Sequence, residues 1–148
     1  IQTRLSKIPD GGAIVMAVAA LEILGMAEHI AQVLDIDVAV PMVGQGSVAV
    51  EARSDDMTTL EILSAIDHVS SRYAVETERA FLAELGAGCS LPVGAHLTKD
   101  GVFHAFMATD DCSDSVQLVG SIGDTDDNLA VGIAAAHECR TRLAEVTE

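Results

Sequence analysis

Apolar positions follow two regimes along this chain. In the first, Ala13 to Leu21 ("AIVMAVAAL") is a continuous apolar run of small and branched residues. That pattern suits a parallel strand buried on both faces. "MAEHIAQVL" then places Ala27, Ile30, Ala31 and Leu34 at helical spacing. A strand followed by a helix is half of a βαβ unit and predicts α/β character. In "DVAVPMVGQGSVAVEARSDD", Val48, Val50 and Ala52 alternate with Ala49, Glu51 and Arg53, a strand signal. The Gly44-Gln45-Gly46 turn before it lets the backbone bend or approach a ligand closely.

The second regime begins at "RSDDMTT", Arg53 to Thr59, where a domain boundary is expected. Thr58 and Glu61 have capping-box spacing and open a helix through Leu60, Leu63 and Ile66. A second helix is expected over roughly 74–85, with Ala74, Phe81, Leu82 and Leu85 on one face and Gly86 and Gly88 ending it. "PVGAHLTKDGVFHAFMAT" reads as a hairpin around Lys99-Asp100-Gly101, and "SVQLVGSIG" as a third strand. A last helix is expected over about 127–146, burying Leu129, Ile133, Ala136 and Leu143. Residues 1–56 are therefore read as part of an α/β domain. Residues 57–148 are read as a small α+β domain with a three-stranded antiparallel sheet and helices.

Composition narrows the partners. The 148 residues carry a formal charge of −15, which argues against nucleic acid and anionic membrane surfaces. An anionic ligand remains possible if a few arginines gather locally; Arg4, Lys7 and Arg53 are the cations before the boundary. The run at Ala13–Leu21 is too short to span a bilayer. Cys89, Cys112 and Cys139 form no C-x-x-C pair, so neither a zinc site nor a disulfide framework is expected, and a reducing cytoplasm fits. The chain opens "IQTRLSKIPD", without Met, and reads as a piece of a longer or processed chain.

Cys139 lies in line with Gly132, Ala136 and Leu143 and reads as a small core hydrophobe. Cys112 in "DDCSDS" is flanked by aspartates that disfavour a thiolate. Cys89 follows a helix end on a glycine-flanked loop, an accessible thiol with no local base. A helix C-terminus also disfavours an anion, so local physics favours a structural role over a chemical one. His29, His68, His96, His104 and His137 show no metal spacing, and Gly44-Gln45-Gly46 is no dinucleotide fingerprint.

Taken together, "TRLSK", "AVAALEILGM", "VPMVGQGSVAVEAR", "ETERAFL" and "GAGCSLPVGA" resemble, in order, the motifs of the porphobilinogen deaminase (hydroxymethylbilane synthase) family. The resemblance covers essentially the whole chain. It implies two periplasmic-binding-protein-like α/β domains followed by an α+β domain. This chain would hold the later part of domain 2, the crossover strand returning to domain 1, and all of domain 3. It implies a transferase of haem and tetrapyrrole biosynthesis that condenses four porphobilinogen molecules into hydroxymethylbilane and releases ammonia. It also implies a dipyrromethane cofactor held through a thioether by Cys89. By the same resemblance Arg4 contacts pyrrole carboxylates, Met16 and Ala17 approach the cofactor through their backbone, and Gln45 and Gly46 form a turn beside it. The family's catalytic aspartate falls in a missing N-terminal portion, so no catalytic residue is expected in this chain, and turnover needs that portion. One departure stands out: the family's "GLKR"-type stretch is here "ALEI", Ala20 to Ile23, so a cation that pairs with carboxylates is replaced by Ile23, beside Glu22. That departure motivates the competing expectation of a non-catalytic relative acting as a binding or interaction module.

Overall fold

The computed structural model describes residues 1–86, 91–123 and 127–147. The chain divides into two compact units, Ile1–Asp35 and Ile36–Glu148. The first contains two short helices, α1 (Gln2–Leu5) and α2 (Val18–Ile23), and a 3-10 turn at Ala27–His29. The expected strand over 13–21 does not form. Its last four residues, Val18 to Leu21, join Glu22 and Ile23 in α2, because Ala, Leu and Glu are strong helix formers once no neighbouring strand offers a ladder. Gly25, at a φ of 65°, donates its N–H to the Glu22 carbonyl and closes the helix. The helix expected from Ala27 to Leu34 shrinks to the single 3-10 turn.

The second unit is α+β. Helix α3 (Met57–Ser64) begins one residue before the expected cap. Asp56, rather than Thr58, caps it by accepting hydrogen bonds from the Thr59 N–H and hydroxyl. These two bonds hold the Asp56 carboxyl below its usual range. Helix α4 (Val69–Glu84) starts earlier than its apolar stripe suggests, because the His68 ring accepts the Ser71 N–H as an N-cap. Strands β1 (Val93–Leu97), β2 (Val102–Ala108) and β3 (Ser115–Ser121) form an antiparallel sheet in the order β1-β2-β3. Helix α5 (Asn128–Thr147) follows. The β1–β2 hairpin turns where expected, with Gly101 at a φ of 76° and Val102 N–H bonded to the Thr98 hydroxyl.

Register explains the core. Val93, Ala95 and Leu97 pair with Met107, Ala105 and Phe103, so one face of the sheet is apolar. Phe81 of α4 is fully buried and meets Phe103 edge-to-face, ring centroids 6.3 Å apart. Helix α5 buries Gly132, Ala136, Cys139 and Leu143. Leu129 and Ile133, expected in that stripe, are instead exposed. Gly132 lies so close to α4 that an added Cβ would strike the Thr77 carbonyl oxygen. At that approach the seam takes small residues, and the larger ones rotate out. Cys139 is fully buried, as expected of a small core hydrophobe, and Cys112 is exposed. Burial pushes the Cys139 thiol up to about 11. No helix among the described residues is long and apolar enough to cross a membrane.

Candidate functional site

The best-defined polar site of the second unit is built on a charge that sits in an apolar stripe. Ala74, Phe81 and Leu85 mark the inward face of α4, and position 78 falls on the same face at helical spacing. That position is Glu78, only 3% exposed. A buried carboxylate is costly unless its oxygens are paired, and here both are. Oε2 accepts the Gly44 N–H at 2.7 Å, and Oε1 accepts the Leu97 N–H at 3.0 Å. The His96 ring nitrogen Nδ1 lies 3.3 Å from Oε1.

These contacts tie three elements. Strand β1 lies at one edge of the sheet, and its outward N–H groups need acceptors. Leu97 finds the Glu78 carboxylate, and Ala95 finds the Pro41 carbonyl at 3.0 Å. The segment before the Gly44 turn therefore lies along the open edge of β1. Gly94 permits this, since a Cβ there would stand 2.7 Å from the Val40 carbonyl oxygen. The turn itself uses two local bonds, Gln45 N–H to Met42 O and Ser47 N–H to Gly44 O. Gly44 and Gly46 have φ of 72° and 86°, and a Cβ built on either would meet nothing within 4 Å. The turn thus presents open backbone, with Gln45 and Gly46 exposed. Across the hairpin, His104 stands opposite His96 and is buried. Its Nδ1 has no hydrogen bond among the described residues, with the Asp37 carboxylate 3.4 Å away.

Helix α4 closes at Gly86, at a φ of 64°, as expected. Arg140 of α5 donates to the Glu84 carbonyl at 3.0 Å, and the His137 ring contacts the Glu84 carboxylate at 2.9 Å. The Ala108 N–H is bonded to the Pro92 carbonyl. Cys89 lies outside the described residues.

The remaining candidates fall in the first unit. Arg4 is exposed on α1, Met16 is half-buried, and Ala17 is the exposed N-cap residue of α2. Ile23 is 84% exposed, with Glu22 exposed beside it. Residues 48–52 form no strand, and Val48 is 92% exposed. Among the described residues no group of three or more His, Cys, Asp or Glu is arranged to hold a metal. Reading the sequence for motifs missed Glu78, although one signal was present: an acidic residue at an inward position of an amphipathic helix.

Two family models match the chain in succession. "Porphobilinogen deaminase, dipyromethane cofactor binding domain" matches residues 1–61, and "Porphobilinogen deaminase, C-terminal domain" matches residues 72–141. Among curated proteins, the porphobilinogen deaminase of Roseiflexus castenholzii is 40% identical over 135 residues, which are 90% of this chain and 41% of that protein. The Pelotomaculum thermopropionicum enzyme of the same name is 42% identical, covering 93% of this chain and 46% of its own length. That of Thermobifida fusca is 46% identical over 64% of this chain and 31% of its own length. The chain spans less than half the length of these relatives.

Proposed function

The chain belongs to the porphobilinogen deaminase family, and on that premise we propose that it is the C-terminal part of an enzyme that joins four porphobilinogen molecules into hydroxymethylbilane, releasing ammonia. The observation that carries this reading is the pair of family models, in order, the first of them named for the dipyrromethane cofactor. Residues 1–56 then belong to domain 2 and its crossover to domain 1, and residues 57–148 form the C-terminal domain. Turnover requires the N-terminal portion, which supplies the catalytic aspartate, and the complete enzyme works in the cytoplasm.

Open backbone at Gly44 and Gly46 fits the cofactor, because a flat pyrrole can approach where no side chain intervenes. Cys89 would hold it by a thioether. Forming that thioether would join the Cys89 sulfur to the methylene carbon that loses ammonia, with the thiol proton released. When bound, the dipyrromethane would supply the primer for the pyrrole chain. Arg4 would pair with acetate and propionate groups, which suits a side chain that the fold leaves exposed. By the family pattern Met16 and Ala17 would approach the cofactor through backbone atoms, and Gln45 and Gly46 would form a turn beside it. A covalent tether keeps each addition effectively intramolecular.

The test is peptide-level and intact mass spectrometry of the full-length enzyme. Dipyrromethane is expected on Cys89 and on neither Cys112 nor Cys139. An active preparation with unmodified Cys89 overturns the assignment. The exposed Glu22 and Ile23 favour a second reading, a non-catalytic binding module. Glu22→Lys with Ile23→Arg in the full-length protein separates the two. A large gain in porphobilinogen consumption marks a working site weakened locally, whereas inactivity of both forms favours the module.

A further inference from the structure

We propose that Glu78 is a positioning residue for pyrrole-chain extension, acting by fixing the Gly44-Gln45-Gly46 turn; this inference rests on the functional reading above. The argument starts from cost. Taking a carboxylate out of water is unfavourable, and an apolar side chain of similar size would cover the edge of β1 more cheaply. An apolar residue could not, however, hold two backbone N–H groups from different elements in one orientation. Glu78 does so, holding the Gly44 N–H at 2.7 Å and the Leu97 N–H at 3.0 Å, with the His96 ring as the neighbouring counter-group at 3.3 Å.

The Gly44 contact is the informative one. Gly44 has a φ of 72°, and the turn's backbone hydrogen bonds among the described residues are the two local ones, Gln45 N–H to Met42 O and Ser47 N–H to Gly44 O. Two-glycine turns have many accessible conformations. A single short, charge-assisted hydrogen bond from a rigid 16-residue helix selects one of them. The same helix ends at Glu84, and Cys89 follows it in sequence. Glu78 therefore references the turn to the element that leads to the tether. On the functional reading above, Gln45 and Gly46 form a turn beside the tethered cofactor, so loosening that turn should slow extension more than it weakens monomer capture.

Glu78→Gln in the full-length enzyme tests this. Glutamine keeps the shape but presents an NH2 group to one of the two N–H donors, so one hydrogen bond is lost and two donors face each other. With dipyrromethane confirmed on Cys89 by mass, kcat per loaded enzyme is expected to fall about tenfold or more, with KM for porphobilinogen changed less than about threefold. Gly44→Ala reaches the same turn from the other side. It leaves Glu78 intact, meets nothing within 4 Å, and strains only the positive φ. It should show the same kcat-selective loss, and it decides the matter if Glu78→Gln is insoluble. Wild-type kcat per loaded enzyme in Gly44→Ala and in any soluble Glu78→Gln overturns the proposal. So does a loss of rate that merely tracks the folded fraction. A wild-type enzyme without cofactor on Cys89 overturns the functional reading itself, which the variants do not address.

Discussion

Replacing Gly132 by alanine should destabilise the fold even though alanine is the better helix former. In an open helix the exchange would gain about 1 kcal/mol. Gly132, however, faces α4. A Cβ there would run into the Thr77 carbonyl oxygen and stand 3.0 Å from both the Ala80 Cβ and the Phe81 backbone nitrogen. Two of these three neighbours are backbone, so no side-chain rotation relieves the contact, and the helices must part. Overpacking of this kind costs about 1–3 kcal/mol, and a backbone obstacle places it at or above the upper end. The net loss is about 2 kcal/mol, which corresponds to a fall in Tm of roughly 6–12 °C for a unit of this size. Thermal unfolding followed by far-ultraviolet circular dichroism reads it directly. Gly120→Ala on β3, where nothing stands within 4 Å, is the matched control and should shift Tm little. A Gly132→Ala variant that melts at or above the wild-type temperature would refute the close helix crossing. The displacement also matters for the site, because Thr77 adjoins Glu78.

Two further outcomes are expected. Phe81→Ala empties a fully buried position against Phe103 and should cost about 3–5 kcal/mol, seen as a lower denaturant midpoint. In the native protein Cys112, exposed but flanked by aspartates that disfavour its thiolate, should react slowly with a thiol reagent at pH 8, and Cys139 only after unfolding. Burial raises the folded Cys139 thiol to about 11 from 9.0, so the folded state holds its proton more tightly than the unfolded state. Its contribution to stability is fully present below pH 9 and is lost between pH 9 and 11. Denaturant midpoints across that range should fall less steeply in Cys139→Ala.

The α+β unit was legible because its signals are local. The turn signal at Lys99-Asp100-Gly101 marked β1 and β2, the stretch "SVQLVGSIG" marked β3, and helical spacing marked α4 and α5. What local spacing could not show was how closely two helices approach. Leu129 and Ile133 share a face with the buried stripe, but Gly132 sets the contact, so the small residues face inward. Residues 13–21 and 48–52 failed as strands for a different reason. A strand is stable only when its backbone groups find a ladder and its side chains a covering layer. No paired strand flanks either segment among the described residues, and Val15 and Val48 stay exposed. Met16 and Ala17 are marked by the family pattern alone; Arg4 is marked by that pattern and by the scarcity of cations before the boundary, and nothing in their own spacing singles them out.

Three of the family stretches, "VPMVGQGSVAVEAR", "ETERAFL" and "GAGCSLPVGA", lie far apart in sequence, yet the structure makes them one object. Pro41 in the first accepts the N–H of Ala95 in the third. Gly44 in the first donates to Glu78 in the second, and Glu78 accepts from Leu97, two residues beyond the third. Gly94 must lack a side chain so that the Val40 and Pro41 carbonyls can reach the edge of β1. Each stretch thus carries a residue type whose reason lies in another stretch: a glycine whose N–H a carboxylate takes, a carboxylate that two N–H groups justify, and a glycine that makes room for carbonyls. Changing one member alone leaves its partners with an unpaired buried group or a clash. That penalty, which is larger than the worth of any single hydrogen bond, is a physical reason for the three to travel together.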